Sequence, residues 1–324
     1  MEKTPAYLKL LNDKLEEITF VKEPKELYEP MAYALTMGGK RLRPVMTLMA
    51  CEMFRGDVSA ALPAALALEV FHNFTLVHDD IMDVAPLRRG KETVYKKWNT
   101  NIGILSGDAM FAKAFEIIAG SGEKTLKPLV QLLSKVAIEV CEGQQYDMNF
   151  EQSPDVSIAD YLEMIRLKTA VLIASSLKAG AIVAGASEQD TNEIYLFGEN
   201  LGMAFQLKDD ILDIFSDEKV FGKKKGGDIV AGKKTFMFLK AIEMADEDTR
   251  ATLVNYFTDT TIEPDTKVKA VTVIYEKLCV KKCAEDMMDA YSSKALSHLK
   301  NIRVPSADKK NLEQLSKELL LRNF

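Results

Sequence analysis

Apolar residues recur at helical spacing along almost the whole chain. Tyr7, Leu10, Leu11, Leu15 and Ile18 fall at i, i+3, i+4, i+8 and i+11, a single stripe of an amphipathic helix. No stretch alternates strictly between apolar and polar positions, and the hairpin dipeptides Asn-Gly and Asp-Gly are absent. Breaks fall at Pro24, Pro30, Gly38-Gly39, Pro63, Gly120–Gly122, Pro128, Ser153-Pro154, Gly222–Gly232, Pro264 and Pro305. Between them the periodicity predicts long helices over about 59–84, 98–119, 125–146, 158–184, 190–216, 234–256, 266–299 and 308–322. The most apolar long segment, Ala170 to Ala186, carries Lys178 in its middle, which predicts a buried helix and not a membrane span. No linker, low-complexity tract or short-period repeat interrupts the pattern. The expectation is one all-α domain over residues 1–324.

Composition narrows the partners. A chain with 47% hydrophobic and 28% charged residues is that of a soluble globular protein. A net charge of −6 argues against nucleic acid, so any anionic ligand must be held by local cationic clusters. Four cysteines, Cys51, Cys141, Cys279 and Cys283, are too few for a disulfide framework and point to a reducing compartment, the cytoplasm. Cys279 and Cys283 sit at i and i+4 of a predicted helix with no His nearby, so they read as small core hydrophobes and not as a metal clip. The opening stretch MEKTPAYLKLLNDKLEEI has early acidic residues and no uninterrupted apolar run, so no signal peptide is expected.

Against this background two acidic clusters stand out. Asp79-Asp80-Ile81-Met82-Asp83 places Asp79 and Asp83 on one helical face with Asp80 beside them. Close carboxylates repel one another unless a cation sits among them. Their hard oxygens suit Mg²⁺, which binds through a few carboxylates and substrate phosphates. The spacing recurs 130 positions later as Asp209-Asp210-Ile211-Leu212-Asp213. Both copies are set in apolar sequence: Phe71, Phe74, Leu76 and Val77 precede the first, and Leu201, Met203, Phe205 and Leu207 the second. Carboxylates are costly in such surroundings without counter-charge. The pair predicts two facing helices that share several Mg²⁺ ions around one polyphosphate. Gly38-Gly39-Lys40-Arg41-Leu42-Arg43-Pro44 supplies the complement: a tight glycine turn followed by three cations within four positions, a candidate phosphate clamp.

With these residues in view the chain resembles a trans-isoprenyl diphosphate synthase, or polyprenyl synthase, of the short-chain type that makes farnesyl or geranylgeranyl diphosphate. The resemblance rests on GGKRLRP at 38–44, HNFTLVHDDIMD at 72–83, RRG at 88–90, GQQYD at 143–147, KT at 168–169, FQLKDDILD at 205–213 and GKKKGGDIVAGKKT at 222–235. It is similar in particular to members whose first aspartate motif has no two-residue insertion.

The resemblance implies a fold of the isoprenoid synthase type, a single-domain bundle of ten or more helices around a central cavity. It also implies an Mg²⁺-dependent, head-to-tail condensation of isopentenyl diphosphate with an allylic diphosphate, with three Mg²⁺ ions per active site and a homodimer. Asp79, Asp80, Asp83, Asp209, Asp210 and Asp213 then hold metal. Lys40, Arg43, His72 and Arg89 bind isopentenyl diphosphate. Arg88, Lys168, Thr169, Gln206, Lys223 and Lys233 serve the allylic diphosphate, with Lys224 and Lys225 as extra lysines beside Lys223. Thr169 and Gln206 stand by the allylic cation. The departed pyrophosphate is the base, so no catalytic Ser, Cys or His is required. Phe74, five positions before the first aspartate, and Thr75 resemble the floor of the product tunnel and imply a C15 or C20 product.

Alternatives are a longer-chain polyprenyl synthase, a class I terpene cyclase, which needs no isopentenyl clamp and generally replaces the second aspartate cluster, and a non-catalytic subunit of a heteromeric synthase, which typically lacks aspartates that are complete here.

Overall fold

The computed structural model describes residues 4–18, 22–216 and 225–321. Helices dominate, as the periodicity predicts: α1 (Thr4–Glu17), α2 (Lys25–Thr36), α3 (Leu42–Met53), α4 (Leu62–Met82), α5 (Val94–Lys97), α6 (Thr100–Ile118), α7 (Glu123–Gln152), α8 (Ile158–Ile165), α9 (Val171–Val183) and α10 (Glu188–Phe215), followed by Gly227–Ala231, Phe236–Met244, Glu247–Thr258, Pro264–Lys277, Val280–Asn301 and Ser306–Leu320.

The chain divides into two compact units. The first comprises residues 1–135, 175–192 and 303–312. In it α4 lies along α6 and α3, and α2 packs on α6. The α3 stretch from Pro44 to Cys51 is buried without a break, and Phe71 of α4 is fully buried. Helix α4, with the short 3₁₀ turn before it, is the one described segment long and apolar enough to cross a membrane (Ser59–Met82). It buries Glu69 and Asp80 in pairs with arginines, as a core helix does.

The second unit comprises residues 136–174, 193–302 and 313–324. Its core includes Tyr161, Met203, Leu207, Ile211, Phe236 and Tyr275. Between α8 and α9 the chain makes one π-helical turn, Arg166–Ala170. Such turns re-aim side chains and recur at functional sites. Here Gly143 of α7 lies against it: a Cβ on Gly143 would stand 2.3 Å from the Lys168 amide nitrogen.

The structure departs from the predicted elements at specific places. The run expected over 234–256 is two helices, because the Asp246 side chain accepts the Thr249 N–H at 2.8 Å and starts a new helix there. The run over 266–299 breaks at Cys279, which has a left-handed backbone with φ +54°. Cys279 is therefore exposed and outside the helix, and Cys283 is half-buried with its Sγ 3.8 Å from Met244 Sδ; the expected i, i+4 core pair is not formed. Pro30, expected as a break, lies buried inside α2, where packing of Met31, Ala34 and Leu35 overrides it. A two-stranded ribbon, β1 (Leu87–Arg88) and β2 (Lys91–Glu92), was not anticipated. Its turn residues Arg89 and Gly90 have φ +54° and +76°, the signature of a type I′ hairpin built without Asn-Gly.

Candidate active site

The first unit gathers one set of predicted residues. Helix α4 ends at Met82, and Asp83 caps it by donating its N–H to the Asp79 carbonyl at 2.8 Å. The helical path thus persists far enough to keep Asp79 and Asp83 stacked, with Asp83 exposed and Asp80 buried. The ribbon delivers Arg88 to this point. Its Nε donates to Asp80 Oδ1 at 2.8 Å and its Nη2 to Asp79 Oδ2 at 3.2 Å. Burial pushes the Asp80 carboxyl up to about 6; Arg88 opposes the rise, and the Asp79 and Asp83 charges add to it.

Two turns earlier on α4, His72 Nε2 accepts from Arg43 Nη1 at 2.9 Å, which fixes the tautomer with the proton on Nδ1. Burial, then Arg43, Arg89, Arg88 and Arg41 around it, hold His72 well below its ordinary value, so it is a neutral acceptor. Burial also lowers Arg43, to about 10. The loop before α3 has positive φ at Gly38, Gly39 and Arg41. Arg89 donates to the Gly38 carbonyl, and its guanidinium lies where a Cβ on Gly39 would be. Glycine at 39 is what allows this approach. Lys40 is exposed beside it. Thr75 Oγ1 bonds back to the His72 carbonyl at 2.8 Å, and Phe74 stacks among Phe71, His78 and Phe111 with centroids 4.8–5.5 Å apart.

The second unit gathers the other set, of which Lys168, Thr169, Gln206, Asp210 and Lys233 line one open cleft. The π turn sets Lys168 and Thr169 on its wall. Lys168 Nζ donates to Asp147 Oδ2 at 2.6 Å, and Lys233 Nζ lies 3.7 Å from the same oxygen. Burial alone would raise Asp147; the two lysines outweigh it and leave its carboxyl below the usual range. Thr169 Oγ1 donates to Gln206 Oε1 at 3.1 Å, and Gln206 Nε2 donates to Asp210 Oδ1 at 3.1 Å. Tyr161 donates to Asp210 Oδ2. Burial, and then the Asp228 charge, raise Asp210 well above the normal carboxylate range, against those two hydrogen bonds. Asp213 Oδ2 accepts the Asp228 N–H at 3.2 Å, and Asp209 is half-buried on the same helix. Lys225 is half-buried; Lys223 and Lys224 lie outside the described residues.

Four residues in this cleft were not singled out from the sequence. Asp147 closes the GQQYD motif and Asp228 follows the paired glycines of 226–227, so both had a local signal. Lys234, beside Lys233, donates to the Phe150 and Ser153 carbonyls at 2.6 and 2.5 Å. Tyr161, seven residues before Lys168, carried no such signal.

Among the described residues no three His, Cys, Asp or Glu side chains converge into a ready-made ion cage. The carboxylates present are hard oxygen donors spread along helix faces. They fit Mg²⁺, which dehydrates reluctantly and shares its sites with phosphate oxygens, better than an all-protein cage.

Comparison with known proteins gives a consistent picture. Residues 24–276 match the model of the polyprenyl synthetase family. The chain is 42% identical over 231 residues to a geranylgeranyl diphosphate synthase of Methanosarcina mazei, covering 71% of each chain. It is 37% identical over 300 residues to a geranylfarnesyl diphosphate synthase of Aeropyrum pernix, covering 90% of this chain and 92% of the other. A solved geranylgeranyl pyrophosphate synthase superposes over the whole of both chains with a TM-score of 0.95 at 44% identity. The geranylgeranyl pyrophosphate synthetase of Pyrococcus horikoshii gives 0.92 at 35% identity, covering 99% of this chain and 98% of the other. On its motifs, its all-α fold and these matches, the chain belongs to the polyprenyl synthetase family.

Proposed function

We propose that the chain is a short-chain trans-prenyltransferase that condenses isopentenyl diphosphate with an allylic diphosphate (dimethylallyl, geranyl or farnesyl) head-to-tail and releases pyrophosphate. The observation that carries this reading is Arg88 on Asp79 and Asp80 at the end of an otherwise apolar helix, with the Arg43–His72 pair two turns away. A phosphate-binding cation is there held in place by carboxylates suited to Mg²⁺.

In this reading Asp79, Asp80 and Asp83, with Asp209, Asp210 and Asp213, hold three Mg²⁺ ions, which when bound neutralise the leaving diphosphate. Arg88, Lys168 and Lys233, with Lys223 beyond the described residues, bind the same diphosphate and offset its charge as the carbon–oxygen bond breaks. Thr169 and Gln206 turn fixed dipoles toward the allylic cation. Their orientation is set by the relay that ends on Asp210, so little reorganisation is needed when charge develops. Lys40, Arg43, His72 and Arg89 hold isopentenyl diphosphate so that its double bond attacks. The released pyrophosphate takes the proton.

The product we favour is C20 geranylgeranyl diphosphate, with C15 as the shorter outcome; Phe74 sets the floor of the tunnel. We further place the chain in the cytoplasm as a homodimer of a single domain spanning 1–324. The purified chain, given dimethylallyl and isopentenyl diphosphates with Mg²⁺, should yield linear prenyl diphosphates read by mass spectrometry. Cyclic hydrocarbons would instead make it a terpene cyclase, and no turnover a non-catalytic subunit.

A further inference from the structure

Several buried charges lie outside the proposed machinery, and one of them is paired next to its cations. Glu69 on α4 is 3% exposed, and its Oε1 accepts from Arg41 Nη1 at 2.6 Å and from Asn73 Nδ2 at 3.0 Å. Arg41 is 9% exposed, and its second Nη donates to the Leu35 carbonyl. With both Nη groups on protein oxygens, Arg41 is tied into the fold, although it sits between Lys40 and Arg43. We propose that Glu69 is a positioning residue for the isopentenyl diphosphate pocket, its carboxylate anchoring Arg41 and so fixing the turn that presents Lys40 and Arg43. This rests on the synthase reading above.

Three observations carry the inference. Arg41 has φ +48°, a left-handed backbone that a residue with a Cβ adopts only when its surroundings dictate it. The grip of Glu69 and Leu35 on the guanidinium supplies that constraint. It also sets the direction in which the chain enters α3, where Arg41 is the residue before the helix. Next, Glu69, His72 and Asn73 stand at i, i+3 and i+4 on one face of α4. Glu69 takes Arg41 while His72 takes Arg43 at 2.9 Å, so two adjacent rungs of α4 index the last residue of the loop and the first turn of α3. Finally, Glu69 lies close enough to favour the charged forms of both Arg43 and Arg89, which face burial and repulsion from neighbouring arginines. Its loss would unbalance cations that bind the same substrate.

A buried ion pair kept only for stability behaves differently. Replacing both partners by apolar residues of similar size is commonly neutral or stabilising. A pair that positions a pocket leaves a binding defect even when the fold is restored.

The test is steady-state kinetics of Glu69→Gln with each substrate varied in turn. The expected result is a rise of about tenfold or more in KM for isopentenyl diphosphate, with kcat and the allylic KM within about threefold of the parent. An unchanged isopentenyl KM, or equal losses for both substrates, would overturn the proposal. If Glu69→Gln fails to fold, the double variant Glu69→Leu with Arg41→Met decides. A folded double variant with the isopentenyl KM still raised supports positioning, and one with parental KM refutes it. A parent chain that neither turns over nor binds isopentenyl diphosphate by calorimetry would sink the synthase reading and this inference with it. A competent parent with an indifferent Glu69→Gln sinks this inference alone.

Discussion

A histidine wedged among arginines stays neutral, and that neutrality has a cost that can be measured. The unfolded chain takes up a proton at His72 near the ordinary value of 6.5; the folded chain, in which the value is well below, does not. The unfolded state therefore binds more protons, and this site erodes stability as pH falls below about 6.5. In His72→Gln the term is gone, so melting temperature plotted against pH should fall less steeply between about 6.5 and 5 than in the parent. An identical slope would mean that neither burial nor the arginines shift this ring in the folded chain. Asp147 gives a second test at this scale. With one carboxylate holding Lys168 and Lys233, Asp147→Asn should lower kcat/KM for the allylic substrate by about 10- to 100-fold, about 1.4–2.7 kcal/mol. A parental value would reduce Asp147 to a bystander. His72, Arg88 and Gln206 stood out where a motif framed them, and the structure gives each a polar partner: Arg43, Asp79 with Asp80, and Asp210. Tyr161 was not: a tyrosine on an apolar helical stripe looks like core until Asp210 is found against its hydroxyl.

At the scale of elements, α4 combines a carboxylate-bearing end with an apolar body. Phe74 lies five positions before the first aspartate and within an aromatic cluster to which α6 contributes Phe111. Phe74→Ala should open space below the site and lengthen the product, seen as later elution of the extracted and dephosphorylated alcohols. Unchanged chain length would remove Phe74 from the tunnel floor. The π turn of 166–170 carries Lys168 and Thr169, and it depends on close approach by α7. A methyl group at Gly143 would meet the Lys168 backbone, so Gly143→Ala should lower the melting temperature by several degrees and displace Lys168 and Thr169. Helices were legible because their apolar period of 3.6 is strong. Their interruptions at Asp246 and Cys279 were not, because the period continues across a break made by one cap or one left-handed residue. The Arg89-Gly90 hairpin was hidden for the opposite reason: its strands are two residues each, too short to show alternation.

For the whole molecule, the sequence's clearest message was electrostatic. An acidic protein with two repeated aspartate clusters and a few concentrated cations has the charge pattern that the proposed metal–diphosphate chemistry needs, and each compact unit carries one of the clusters. The central claim is that both clusters act on a single substrate. The most direct measurement is kcat for purified Asp79→Ala and Asp209→Ala with dimethylallyl and isopentenyl diphosphates at saturating Mg²⁺, alongside their circular dichroism. We expect each variant alone to lose about a thousandfold or more, about 4 kcal/mol of transition-state stabilisation, with helical content unchanged. Near-parental turnover in either variant would contradict the account.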